Sequence, residues 1–152
     1  LRNNLTFYQP DATEEEIAHA LELVGLTSLV TELPKGLDTV VGEGGRSLSG
    51  GQSQRVALAR AVLHRTCRVL VFDEPTAHLD IETEWELKQR MLPLMEGKLV
   101  FFATHRLHWL SEMDEILLLE DGQVRDFGSY EALSKASSFA YLSSHEKEGG
   151  DV

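Results

Sequence analysis

Ser47-Leu48-Ser49-Gly50-Gly51-Gln52-Ser53-Gln54-Arg55 runs without a break into Val56-Ala57-Leu58-Ala59-Arg60-Ala61-Val62-Leu63, a series of good helix formers. Ser49 is a natural N-cap, because its hydroxyl accepts from a free backbone N–H of the first turn. Gly50 and Gly51 omit side chains where something must approach the backbone closely. The helix N-terminus behind them carries partial positive charge and unpaired donors, which suits a phosphate. The same residues also read as a capped loop-to-helix junction with nothing bound, so the choice rests on what surrounds them.

Downstream, Val69-Leu70-Val71-Phe72 is a short continuous apolar run, expected as a strand buried on both faces of a parallel sheet. Ile81 to Met95 has a helical pattern, with Leu87 and Met91 on one side and Pro93 near its end. Leu99-Val100-Phe101-Phe102-Ala103 is a second buried strand. Strand, helix and strand at this separation predict a βαβ unit with a right-handed crossover.

Polar chemistry follows each strand directly, at the edge where open α/β sheets bind ligands. Asp73-Glu74 ends the first. Two adjacent carboxylates there suit a division of labour: Asp73 orients Mg²⁺ through water, and Glu74 polarises an attacking water. A solvated acidic turn is the plain alternative. Thr104-His105 ends the second strand, which predicts His105 on the same edge as Glu74, placed to hydrogen-bond a γ-phosphate or to hold the water. A capping or surface histidine is its alternative. Asp80, closing Pro75-Thr76-Ala77-His78-Leu79-Asp80, reads either as a helix N-cap or as a group touching a partner subunit at the reaction site. His64, His78 and His108 show no metal-ligand spacing with Cys67, and no metal cage is assigned.

Upstream, Thr13 to Val24 predicts a helix, with Thr13 and Glu16 at capping-box spacing and Gly25 ending it. Leu26 to Leu33 adds a short helical piece before Pro34. Leu1 to Gln9 has no clear period. Pro34 to Gly45 is turn-rich, a contact loop or a plain linker. Beyond the second strand, Leu107 to Ser111 predicts a short helix. Asp121-Gly122 between strand-like runs predicts a hairpin, and Ser129 to Lys135 a further short helix. The polar tail from His145 to Val152 is expected to fray.

Length and composition bound these readings. At 152 residues the chain is about one domain, and its 42% hydrophobic content is enough for a core. The charge balance, 14 Lys+Arg against 25 Asp+Glu, disfavours a nucleic-acid backbone as partner. With Cys67 alone there is no intramolecular disulfide, which fits a reducing compartment, and Cys67 is expected to be a small buried filler. No apolar run approaches the roughly 20 residues of a membrane span, and nothing resembles a signal peptide. A start at Leu1 rather than Met gives the expectation of a piece cut from a longer protein.

Four segments in order resemble one family. Leu48-Ser49-Gly50-Gly51-Gln52 resembles the ABC signature, Val69 to Glu74 the Walker B strand with its catalytic glutamate, Thr76-Ala77-His78-Leu79-Asp80 the D-loop, and His105 the switch histidine. The chain is similar to ABC transporter ATPase domains over essentially its whole length. Val41-Gly42-Glu43-Gly44-Gly45 resembles the exporter loop that contacts the membrane domain, although Gly44 stands where the family has Arg. The run from Thr76 through Glu84 and the Phe101 to Trp109 segment are similar to the bacterial cysteine and glutathione exporters linked to cytochrome bd assembly. No Gly-rich P-loop ending in Lys-Ser/Thr occurs. The resemblance therefore implies an α/β fold: a partial P-loop (RecA-like) core with parallel strands, plus most of the α-helical signature subdomain, the P-loop half being absent.

The implied organisation is a helical subdomain over 1–65, core over 66–142 and a flexible tail over 143–152. The implied ligands are ATP and Mg²⁺. By resemblance, Ser49, Gly50, Gly51 and Gln52 face the γ-phosphate of ATP held by a second ABC ATPase domain, in a head-to-tail homo- or heterodimer. Asp73 (Mg²⁺), Glu74 and His105 serve the ATP of their own chain, and Asp80 lies at the shared site. A transmembrane domain would dock on the Val41–Gly45 loop, at the cytoplasmic face of the cell membrane. The expected function is ATP hydrolysis coupled to export, with the 152-residue chain alone inactive. Two other readings stand beside it: a non-transport ABC ATPase of DNA-repair type, against which the acidic charge and the absence of heptads count, and a truncated non-catalytic module that completes a partner's site. With a central strand missing, apolar faces are expected to be exposed, so that the isolated chain self-associates or is marginally stable. A monomeric, cooperatively melting chain would contradict this.

Overall fold

The computed structural model describes residues 1–135, so the expected frayed tail and the end of the 66–142 segment lie outside the described residues. The chain forms two compact units, one from Leu1 to Phe102 and one beginning at Ala103.

The first unit begins with helices α1 (Arg2–Leu5), α2 (Glu14–Leu23) and α3 (Thr27–Glu32), followed by a 3₁₀ turn at Gly36–Asp38. The four residues of α1 are too few to show a period, which is why the sequence reading leaves this segment unassigned. The capping box at Thr13 and Glu16 forms as expected: Thr13 Oγ1 accepts from the Glu16 N–H, and Glu16 Oε2 accepts from the Thr13 N–H. Helix α4 (Gly50–Leu63) packs against both α1 and α2. Its buried Val56, Leu58, Ala59 and Leu63 share a core with Leu5, Ile17, Ala20, Leu21 and Leu26.

Arginines tie these helices together at carbonyls left open by helix ends. Arg55 Nη1 donates to the Gly25 carbonyl just past α2 at 3.0 Å. Arg60 Nε donates to the Asn4 carbonyl at 2.7 Å, and Arg60 Nη2 to Asn4 Oδ1 at 2.8 Å.

Strand β1 (Val69–Asp73), helix α5 (Ile81–Met95) and strand β2 (Leu99–Ala103) form the expected βαβ unit, with β1 and β2 paired in parallel. Leu70 and Phe72 point inward, and the Phe72 and Phe102 rings lie 5.6 Å apart. The expectation of two buried faces is corrected here. Val69, Val71, Leu99 and Phe101 are 48%, 73%, 57% and 57% exposed, because no described element covers that side of the two strands. This is the apolar exposure anticipated for a parallel sheet without its neighbours. Cys67 is half-buried rather than a core filler, and its S–H donates to the Val69 carbonyl at 2.8 Å.

In the second unit a 3₁₀ turn (Leu107–Glu112) carries the fully buried Trp109. Strands β3 (Ile116–Glu120) and β4 (Gln123–Gly128) pair antiparallel around Asp121-Gly122, with an irregularity between Leu118 and Leu119. Both turn residues have positive φ, 49° and 75°, as a tight hairpin turn requires. Ser129 caps α6 (Tyr130–Leu133) through its hydroxyl, which accepts from the Ala132 N–H.

Candidate functional site

The glycine pair sits at the first turn of α4, and the local chemistry there is a complete capping box. Ser49 Oγ accepts from the Gln52 N–H at 3.1 Å, while Gln52 Oε1 accepts from the Ser49 N–H at 2.9 Å. The Ser-x-x-Gln spacing signals this box, yet only the serine half of it is read in the sequence analysis. The box engages Gln52 Oε1 and leaves two kinds of donor open. The Ser49 hydroxyl keeps its own proton to donate, and the N–H groups of Gly50 and Gly51 have no partner among the described residues. A helix terminus with free amides on two residues that carry no side chains is chemically suited to an anion.

The glycines are needed for packing as well. A Cβ on Gly50 would lie 3.2 Å from His78 Cδ2, and one on Gly51 would lie 3.0 Å from the His78 carbonyl oxygen. The start of α4 is therefore pressed against the loop that leaves β1.

That loop, residues 74–80, is built from two overlapping turns: the Ala77 N–H donates to the Glu74 carbonyl at 3.2 Å and the Leu79 N–H to the Thr76 carbonyl at 3.0 Å. Pro75, Thr76 and Leu79 are buried, whereas Asp73, His78 and Asp80 are exposed. Glu74 has φ 46°, in the left-handed region that L residues other than Asn and Asp rarely occupy. Such a conformation is held by its surroundings and is typical of functional sites. Here Gln54 Nε2 donates to the Glu74 carbonyl at 2.5 Å, and Gln54 Oε1 accepts from the His78 N–H at 3.3 Å. Oε2 of Glu74 is closed off from solvent.

The loop is anchored on its other side by buried polar residues. The Thr76 hydroxyl donates to Glu84 Oε1 at 2.5 Å, and both residues are fully buried. Lys88, one turn further along α5, is also buried, with its ammonium 4.9 Å from the centre of the Trp85 ring. Replacing Thr76 by Val keeps the shape and deletes the donor to a buried carboxylate. It is expected to cost about 1–3 kcal/mol in denaturant unfolding; an unchanged midpoint and slope would show that the bond contributes nothing.

Asp80 performs the N-cap role allowed for it: Oδ1 accepts from the Thr83 N–H at 2.9 Å and Oδ2 from the Thr83 hydroxyl at 2.7 Å. The Thr83 backbone N–H, then its hydroxyl, hold the Asp80 carboxyl below its ordinary value. A lowered folded pKa means that the cap's contribution is present above the ordinary value of 3.8 and is lost as pH falls through the lowered one. The melting-temperature gap between the chain and Asp80→Ala is therefore expected to hold at neutral pH and to shrink below pH 3.8. A gap that persists unchanged into acid would contradict it.

The structure thus brings Ser49, Gly50, Gly51 and Gln52 together with the loop containing Glu74 and Asp80, at the C-terminal end of β1. Asp73 is the last residue of that strand. His105 is in the second unit, exposed, two residues beyond β2; beside it Thr104 Oγ1 accepts from the Arg106 N–H at 3.0 Å. The Val41–Gly45 loop closes on itself, with the Arg46 N–H donating to the Val40 carbonyl at 2.9 Å and the Gly42 N–H to the Arg46 carbonyl at 3.3 Å. It is exposed from Gly42 onward. Gln54, Thr76 and Glu84 were not singled out from the sequence. Nothing in the spacing of a helical Gln or a buried Glu announces the tertiary bonds they make.

Comparison with known proteins bears on this arrangement. The ABC transporter family profile matches residues 1–77. The chain is 57% identical over 133 residues to the glutathione/L-cysteine transport system ATP-binding/permease protein CydC of Bacillus subtilis, covering 88% of this chain and 23% of that protein. It is 40% identical over 136 residues to the cyclolysin secretion/processing ATP-binding protein CyaB of Bordetella pertussis, covering 90% and 19%. Among solved structures, a bacterial Atm1-family ABC exporter with ATP bound superposes with a TM-score of 0.80 at 32% identity, over 95% of this chain and 25% of that one. The chain spans about a fifth to a quarter of the length of these proteins. No helix among the described residues is long and apolar enough to cross a membrane.

Proposed function

Because the chain belongs to the ABC transporter family, we propose that it supplies the signature face of one ATP site and the catalytic carboxylate of another, in a protein that couples ATP hydrolysis to export across a membrane. One observation carries this reading: a capped helix start with open amides at Gly50 and Gly51, packed on the loop that begins with the left-handed Glu74.

Each residue's part follows from its chemistry. Gly50 and Gly51 offer backbone N–H groups, and Ser49 its hydroxyl proton, to the γ-phosphate of ATP held by a second ABC ATPase domain packed head to tail. Glu74 accepts the proton of the attacking water as general base. His105 hydrogen-bonds a γ-phosphate, and Asp80 faces the partner domain while capping α5. The exposed Asp73 carboxylate, a hard oxygen donor at the strand end, fits Mg²⁺ and would hold it through water. Bound there, the ion would neutralise phosphate charge. Residues 1–65 form the helical signature part and 66–142 the core part in this reading, and the exposed Val41–Gly45 loop docks the transmembrane domain, which places the chain at the cytoplasmic face of the membrane.

The names of the relatives favour an exporter over a DNA-repair type of ATPase, and glutathione or cysteine as cargo over a protein toxin, on the strength of the higher identity. The test is ATP turnover. The assembled protein is expected to hydrolyse ATP and the purified 152-residue chain alone is not. Steady turnover by the chain alone, lost on Glu74→Gln, would overturn the shared-site reading.

A further inference from the structure

Gln54 lies in the second turn of α4, and both ends of its side-chain amide are used on the loop after β1. The Glu74 carbonyl needs a donor and the His78 N–H needs an acceptor, and one amide meets both, at 2.5 Å and 3.3 Å. The donor arm is the shorter of the two. It acts on the carbonyl of a residue whose left-handed backbone must be held in place, φ 46°. The acceptor arm acts on the residue whose side chain and carbonyl lie against Gly50 and Gly51. From the other side the loop is held by the Thr76 hydroxyl, which donates to Glu84 Oε1 at 2.5 Å, and by the Asp80 cap on Thr83.

We propose that Gln54 is a positioning residue for ATP hydrolysis: its amide sets the backbone of Glu74, and hence the carboxylate that works on water, in register with the helix start at Ser49–Gly51. This rests on the function proposed above. Gln54 touches no substrate on that reading; it acts through Glu74. No other side chain can replace it simply. Glu would keep the acceptor for His78 and lose the donor to Glu74, and Ala would lose both.

The test uses the assembled ATP-hydrolysing protein with three readouts: kcat, KM for ATP, and hydrogen exchange at the His78 amide. Gln54→Ala is expected to lower kcat by about 10- to 100-fold, as misplacement of a catalytic group does, with KM within about twofold. It is also expected to speed exchange at His78 about tenfold or more, because that N–H loses its acceptor. Gln54→Glu is expected to return His78 exchange to near the original rate while kcat stays low, since the bond to the Glu74 carbonyl is still missing. A Gln54→Ala protein that keeps kcat within about threefold would overturn the proposal, as would a fall in kcat that merely tracks the fraction unfolded in a melting experiment. If the unsubstituted assembly turns over no ATP, the proposed function itself fails and the positioning role with it. Turnover that is indifferent to Gln54 overturns the positioning role alone.

Discussion

Replacing Glu74 by Gln is expected to lower ATP turnover of the assembled protein by about 10²–10⁴-fold, the usual contribution of a positioned general base, while ATP still binds. The substitution keeps shape and hydrogen-bonding capacity but removes the group that takes a proton from water. Two features make a merely local effect credible. Gln54 Nε2 and the Ala77 N–H both donate to the Glu74 carbonyl, bonds the substitution leaves in place, so the variant keeps the main-chain path. On the proposed reading the groups at Ser49–Gly51 face phosphate, and they belong to α4 and to the other ATP site. Turnover and nucleotide retention measured together check this. Unchanged turnover would remove Glu74 from the reaction, and lost ATP binding would give it a structural role instead.

The second large effect is expected at Gly51. A Cβ there would sit 3.0 Å from the His78 carbonyl oxygen and 3.3 Å from Leu79 Cδ2. The first of these neighbours is backbone, which cannot swing aside as a flexible side-chain tip does. Gly51→Val adds two more carbons to the same gap, so either α4 or the 74–80 loop must move. Since the amides of Gly50 and Gly51 and the carboxylate of Glu74 depend on that contact, turnover is expected to fall about 10²-fold, with Gly51→Ala in between. A valine variant that turns over ATP like the unsubstituted protein would show that the close approach is not required.

What the sequence reveals and what it conceals divide along a physical line. Features determined within a few residues are legible: the Thr13–Glu16 box, the Ser49 cap, the Asp80 cap, the Asp121-Gly122 hairpin turn and the strand–helix–strand order from Val69 to Ala103. The placement of Glu74 at a strand end is legible for the same reason. Features that depend on what lies across the fold are not. Val69 and Val71 read as buried because an apolar run cannot say whether its second face is covered. Helix α1 is too short to show a period, and its anchor is Arg60, fifty-six residues away. Gln54, Thr76 and Glu84 matter through bonds to residues eight to twenty-four positions distant. Their identities fit an exposed helix or a turn equally well until those contacts are seen.

On the proposed reading the open amides of Gly50 and Gly51 are completed by ATP carried on another subunit. Hydrogen exchange at those two amides tests this most directly, in the Glu74→Gln protein, where bound ATP is expected to persist. Protection on adding ATP and Mg²⁺ is predicted in the assembled protein and not in the isolated chain. Protection in the isolated chain, or none in the assembly, would contradict it.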